Sequence, residues 1–165
     1  MKNTSGKWQP KETPVFFLDR TFGRNQVAQR LRDAGFVVRT LYDEFGEAES
    51  RIADPVVIQH CALMNRVLLT GDQDLIRTWN KEIIQGQIAV FITTDNREGP
   101  DQWAPRIITA KEDILLELSR RTKPFTANIA KEGRISTVRV HDGKEWRTIQ
   151  IRKKNPSNYE RKHGK

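Results

Sequence analysis

Val67-Leu68-Leu69-Thr70-Gly71-Asp72-Gln73-Asp74 is the stretch on which the fold turns. Its apolar run leaves no polar face, the pattern of a strand buried on both sides of a parallel sheet. Gly71 interrupts it. Asp72 and Asp74 then open a helix carrying Leu75, Ile76 and Trp79, with one of the two acids as its cap. A buried strand running directly into a helix is the repeating unit of an α/β protein.

The same grammar occurs upstream. Val15-Phe16-Phe17-Leu18 is a second apolar run, ending at Asp19, and Thr21 to Asn25 make a turn. Val27, Ala28, Leu31 and Ala34 recur at helical spacing until Gly35 stops the helix. Residues 36–41 form the next strand, so the chain opens as strand, helix, strand with a right-handed crossover. Residues 42–53 are acidic and read as a loop. Asp54-Pro55 predicts a helix start, with Asp54 as the cap and Pro55 at the first helical position; Asn65 or Arg66 ends that helix. Residues 88–93 predict a further strand, residues with Gly99, Pro100 and Pro105 a loop, and residues 110–121 a helix whose apolar face holds Ile114, Leu115 and Leu118.

Beyond residue 122 the pattern changes. Residues 125–129, 134–140 and 146–152 read as short strands, separated by Lys131-Glu132-Gly133 and His141-Asp142-Gly143. The expected organisation is an α/β body over 14–122, an antiparallel β-meander over 123–152 as an appendage, and flexible ends at 1–13 and 153–165.

Four aspartates follow from this layout. Asp19, Asp72 and Asp74 come where strands end, and Asp54 opens a helix between them. The carboxyl ends of parallel strands form the crevice where α/β proteins bind ligands. Carboxylates gathered there repel one another unless a cation lies among them. Hard oxygen ligands point to Mg2+ or Mn2+ and to metal-assisted chemistry on a phosphodiester. Each acid also has a structural reading as a helix cap. That reading is awkward for Asp19, because its helix starts several residues later. Arg20 and Arg24 lie beside Asp19 and can contact phosphates or simply solvate the surface. Thr70 can orient a carboxylate or a water, or serve only as a strand residue.

Charge adds a second clue. The net charge is +8, yet residues 1–119 carry 15 Lys and Arg against 17 Asp and Glu, while residues 120–165 carry 14 against 4. A basic C-terminal region attracts nucleic acid or serves as a solvated tail. Trp103 and Trp146 either stack on bases or pack half-buried. His60, His141 and His163 share no zinc-site spacing. The single cysteine, Cys61, excludes an internal disulfide and reads as a buried small hydrophobe. No apolar run reaches the length of a membrane span, and a cytoplasmic location is expected.

The three segments Phe17-Leu18-Asp19-Arg20, Ala53-Asp54-Pro55-Val56-Val57-Ile58 and Val67 to Asp74 occur in an order that resembles PIN-domain ribonucleases. The resemblance is to the PIN-like proteins grouped with VapC-type toxins of bacterial toxin–antitoxin pairs. It spans roughly residues 14–95, and its most specific part is the apolar strand followed by Thr70, Asp72 and Asp74. It implies a PIN-like parallel sheet flanked by helices and a Mg2+- or Mn2+-dependent endoribonuclease. Asp19, Asp54 and Asp72 would be metal ligands, with Asp74 in support. RNA would be the substrate and an antitoxin a partner, with a dimer as one possible state. Many members carry a further acid on an earlier helix; here Asp43, Glu44, Glu47 and Glu49 fall in the expected loop, with Glu47 and Glu49 as candidates. The basic meander lies outside the minimal family fold.

Two other readings remain open. A non-catalytic RNA-binding protein would keep the fold and hold RNA on its basic meander. A phosphatase or phosphotransferase with an aspartyl nucleophile fits Asp19 but lacks an Asp-x-Asp at the first strand, where Arg20 and Thr21 follow.

Overall fold

A computed structural model describes residues 12–93 and 99–151. The expected flexible ends, other than residues 12 and 13, lie outside the described residues, as does His163. Strand β1 (Val15–Leu18) leads through a short 3-10 turn (Arg20–Phe22) to helix α1 (Gln26–Asp33) and strand β2 (Val37–Thr40). Helices α2 (Leu41–Phe45) and α3 (Asp54–Met64), with a 3-10 segment at Gly46–Arg51 between them, precede strand β3 (Arg66–Thr70). Helices α4 (Asp74–Thr78) and α5 (Asn80–Gly86) follow, then strand β4 (Ala89–Thr93). Helices α6 (Pro100–Thr109) and α7 (Lys111–Arg120) lead to strands β5 (Phe125–Ile129), β6 (Ile135–His141) and β7 (Trp146–Gln150).

The seven strands form one sheet in the order β2-β1-β3-β4-β5-β6-β7. The first five run parallel. The last two turn back antiparallel as a meander. The fold is therefore α/β with a mixed sheet. The strands expected as an appendage continue the same sheet, because β5 pairs with β4 along its whole length.

Strand β4 is buried at every position, as a central parallel strand covered on both faces should be. On one face Phe16, Leu18, Val67, Leu69 and Phe91 pack under α1, α6 and α7 through Leu31, Ile107 and Ile114. On the other, Phe17, Leu68, Val90 and Ile92 pack under α2 to α5 through Leu41, Ile58, Leu75 and Ile83. The connection to β2 crosses one face and the return to β3 crosses the other. Successive strands thus lie on opposite sides of β1, and the order reverses between β1 and β3. Open α/β sheets bind ligands outside the carboxyl ends of strands at such a reversal.

Two expected loops are helical. Residues 42–53 lack apolar periodicity, yet α2 is held by a capping box. The Thr40 hydroxyl accepts the Asp43 N–H at 3.1 Å, and the Asp43 carboxylate accepts the Thr40 N–H at 2.9 Å. The prolines of 100–109 suggested a loop. Pro100 instead opens α6, where a proline is tolerated, and the Gln102 side chain accepts the Gly99 N–H at 3.1 Å. Pro105 lies within the helix, and burial of Ala104 and Ile107 outweighs its missing donor. The helix predicted after Asp72 is divided into α4 and α5 at Trp79.

Continuity of the sheet has a measurable consequence. Phe125 in β5 is fully buried, with its ring edge-on to Phe91 at 5.8 Å between centroids. Phe125→Ala is expected to destabilise the protein by about 3–5 kcal/mol in a single urea transition. Separate unfolding of residues 123–151, with the body's transition unmoved, would contradict the single core.

Candidate metal centre

The carboxyl ends of β1 and β3 are neighbours because these strands pair Leu18 with Leu69, and the Asp19 N–H continues the ladder to the Leu69 carbonyl at 3.1 Å. Asp19 is therefore carried into the fold at the strand end and is only 5% exposed. Its Oδ1 accepts the Thr21 N–H at 2.7 Å and the Thr21 hydroxyl, and its Oδ2 accepts the Thr70 hydroxyl. Asp19 thus caps the 3-10 turn at Arg20–Phe22, a turn too short for apolar periodicity to predict, so the sequence offers Asp19 no adjacent helix to cap. Capping and ligation are compatible here, since a carboxylate offers about four lone-pair directions.

Both hydroxyls are fixed from behind. The Thr21 oxygen accepts the Gly71 N–H at 2.9 Å, and the Thr70 oxygen accepts the Asp72 N–H at 3.0 Å. With an amide hydrogen directed at each oxygen, each hydroxyl proton is left to point at Asp19. A Cβ built on Gly71 would stand 3.2 Å from the Thr21 hydroxyl and 3.5 Å from that of Thr93, so glycine lets this loop lie close against the site.

Asp54 takes a different position from the expected one. Ala53 is the cap of α3, Asp54 is its first residue, and no side chain caps this helix end. The shift of one residue leaves the Asp54 carboxylate free of a capping bond. Asp72 accepts the Asp74 N–H at 2.9 Å, which orients it at the start of α4. Together Asp19, Asp54 and Asp72 line one open cavity of about 460 Å³, along with Arg20, Thr21, Arg51 and Trp79. None of the three carboxylates is in a salt bridge among the described residues.

The other candidates lie elsewhere. Asp74 is outside this lining; its carboxylate pairs with Arg77 at 2.7 Å on the surface. Arg20 lines the cavity and donates to the Ile52 carbonyl, anchoring the approach to α3. Arg24 rests on the Tyr42 ring at 4.4 Å and pairs with Glu49 and, at 3.7 Å, with Glu47. Glu47 and Glu49 are therefore engaged with Arg24 and do not line the cavity. Glu44 is held by Arg39 at 3.0 Å and Arg66 at 3.3 Å, with His60 at 3.9 Å. Burial would raise its carboxyl, but these bonds and charges leave it below the usual carboxylate range. Burial pushes the Cys61 thiol up to about 12, so it is inert at neutral pH. Trp103 stands edge-on to Phe22, and Trp146 donates to Asn80, so both tryptophans pack half-buried. The sequence reading did not single out Thr21 or Arg51. Thr21 was legible only as a hydroxyl two residues beyond an acid at a strand end.

The donor set suits a hard divalent cation. Among the described residues no group of three or more His, Cys, Asp or Glu side chains is gathered into a ready ion cage. Mg2+ keeps several of its waters and is held through one or two carboxylates, so spaced carboxylates around an open cavity match its requirements. No family model, curated protein or solved structure matches the chain.

Burial raises the Asp19 carboxyl above its ordinary value; the bonds from Thr21 and Thr70 oppose the rise, and the charge of Asp54 adds to it. Folding thus favours the protonated form. The penalty is absent below the ordinary carboxylate range and grows as pH rises through the folded value. In chelator, Asp19→Asn should therefore gain stability relative to the parent as pH rises toward neutrality, and the gain should disappear in acid. Melting temperatures across pH test this. Thr70→Val removes one donor from Asp19 and the acceptor of the Asp72 N–H, and is expected to cost about 1–3 kcal/mol in urea denaturation.

Proposed function

We propose that this chain is a PIN-like, metal-dependent endoribonuclease that cleaves RNA phosphodiesters and acts as the toxin of a toxin–antitoxin pair in the cytoplasm. The observation that carries the reading is the meeting of Asp19, Asp54 and Asp72 around one cavity at the strand-order reversal, with no cationic side chain paired to any of them among the described residues. The motif order supplies the substrate class. Among the described residues no helix is long and apolar enough to cross a membrane.

Asp19, Asp54 and Asp72 would hold Mg2+ or Mn2+. When bound, the ion supplies a nucleophilic water near neutral pH and neutralises charge developing on the phosphate. Asp19 is the fixed member, with both oxygens oriented by hydroxyls. Asp54, without a capping bond, keeps its carboxylate oxygens free for the ion or its waters. Arg20 and Arg51 line the same cavity and offer guanidinium groups to phosphate oxygens. Asp74 acts on the surface through Arg77 and is peripheral to these steps.

One second reading is a PIN-like fold that binds RNA without cutting it; its support is the engagement of Glu47 and Glu49 with Arg24, outside the cavity lining. Chelator separates the two. The nuclease requires RNA cleavage that depends on Mg2+ or Mn2+ and stops with EDTA. A binding protein retains intact RNA in both conditions. Asp19→Asn is expected to lower metal-dependent cleavage by at least about a hundredfold with the circular dichroism spectrum unchanged, and Asp74→Asn far less. Full activity of Asp19→Asn would remove Asp19 from the site.

A further inference from the structure

The meander has two unlike faces. One side carries Val138, Val140 and Ile149 into the core shared with α6 and α7. On the other side, Asn128, Thr137, Arg139, Thr148 and Gln150 alternate outward beside Trp146. Arg139, Thr148 and Gln150 are exposed.

This face meets the candidate metal centre in the sheet register. Thr70 pairs with Ile92, Ile92 with Asn128, Asn128 with Thr137, and Thr137 with Gln150. Thr70, whose hydroxyl binds Asp19, is thus level with Thr137 three strands away, roughly 14 Å at the usual spacing. Arg139 lies two residues below Thr137 on the same face. Its guanidinium is 5.5 Å from the centroid of the Trp146 ring and is in no salt bridge among the described residues. Neighbouring Arg134 and Arg147 are paired, with Glu132 and Asp142. A guanidinium resting on a ring uses its π face and keeps its in-plane N–H groups available. Beyond β7 the sequence continues Arg152-Lys153-Lys154.

We propose that this open face is the substrate platform: a single-stranded RNA lies across β5 to β7, with a phosphate on Arg139, and leads into the cavity of Asp19, Asp54 and Asp72. The inference rests on the ribonuclease reading for the direction of the strand. Charge complementarity selects the occupant, since the only charged side chain of the six named is an arginine without a carboxylate partner among the described residues and the sequence beyond β7 is basic. The six side chains offer donors and acceptors that any RNA backbone can use, so binding should depend on backbone and salt more than on sequence.

The test measures binding of an end-labelled, single-stranded RNA pool of mixed sequence to the full chain in EDTA, across salt concentrations, and cleavage of the same pool in Mn2+. Arg139→Glu is expected to weaken binding by about tenfold and to make the logarithmic salt slope shallower by about 0.7. Thr148→Glu, an exposed change on the same face, should also weaken binding. Arg30→Glu makes the same charge reversal on α1, across the sheet, and should bind as the parent does. Melting temperatures confirm folding. Parental binding by both face variants, or an equal loss in Arg30→Glu, overturns the platform even if the parent cleaves RNA. Binding that depends on Arg139 without metal-dependent cleavage upholds the platform and overturns the nuclease. A parent that binds no RNA overturns both.

Discussion

Burial of an ionisable carboxylate at the end of β1 is the constraint around which the rest of the site is arranged. A carboxylate withdrawn from water is costly unless polar partners replace its hydration. Asp19 receives three such bonds, all from Thr21 and Thr70. The two hydroxyls act as donors because the Gly71 and Asp72 amides occupy their oxygens. This amide–hydroxyl–carboxylate chain joins the end of β1 to the loop after β3. It places Asp72 near Asp19 through backbone geometry and not through side-chain reach. The register of β1 against β3 is therefore a condition of the site: a slip of one residue would turn Thr70 to the opposite face of the sheet.

The two helical layers serve the same end. Helix α1 lies on one face of the sheet and α3 on the other, so the connections leave the crevice between β1 and β3 open. Helix α3 enters that crevice with Asp54 in its first turn, where the positive end of a helix dipole favours a carboxylate. The Arg20 bond to the Ile52 carbonyl fixes the chain just before this helix. Asp54 thus comes to the cavity without a capping role, and its charge is felt at Asp19 as an upward push on the carboxyl.

The parts legible in the sequence were those with one dominant signal. Apolar runs at 15–18 and 67–69 identify β1 and β3, so the acids that follow them are found directly. Alternation in 134–140 and the turn at Asp142-Gly143 identified the meander, though not that it completes the main sheet, because strand partners are a tertiary property. The acidic stretch 42–53 was read as a loop because its helices are too short for apolar periodicity. They are held by the Thr40–Asp43 box and by arginines from distant elements, Arg66 to Glu44 and Arg24 to Glu49. Helix α6 was hidden by its prolines, whose cost is offset by burial of residues that a linear reading assigns to a loop. Asp54 was displaced by one position because Asp-Pro matches the usual cap pair, whereas Ala53 takes the cap and no side chain bonds the helix end.

Spacing among the carboxylates limits their mutual repulsion. Three carboxylates packed at ligand distance in an unfilled site would repel strongly, and their protonation would compete with metal. Here Asp19 bears the burial and is held by hydroxyls, while Asp54 and Asp72 stand at the wall of an open cavity where water can screen them. A strongly hydrated cation needs few direct protein ligands, and the remaining carboxylates can act through its waters. The same openness leaves Arg20 and Arg51 at the wall of the cavity beside the carboxylates. The site gains its order from the fold beneath Asp19, and an ion held there as proposed would not need to rearrange the backbone.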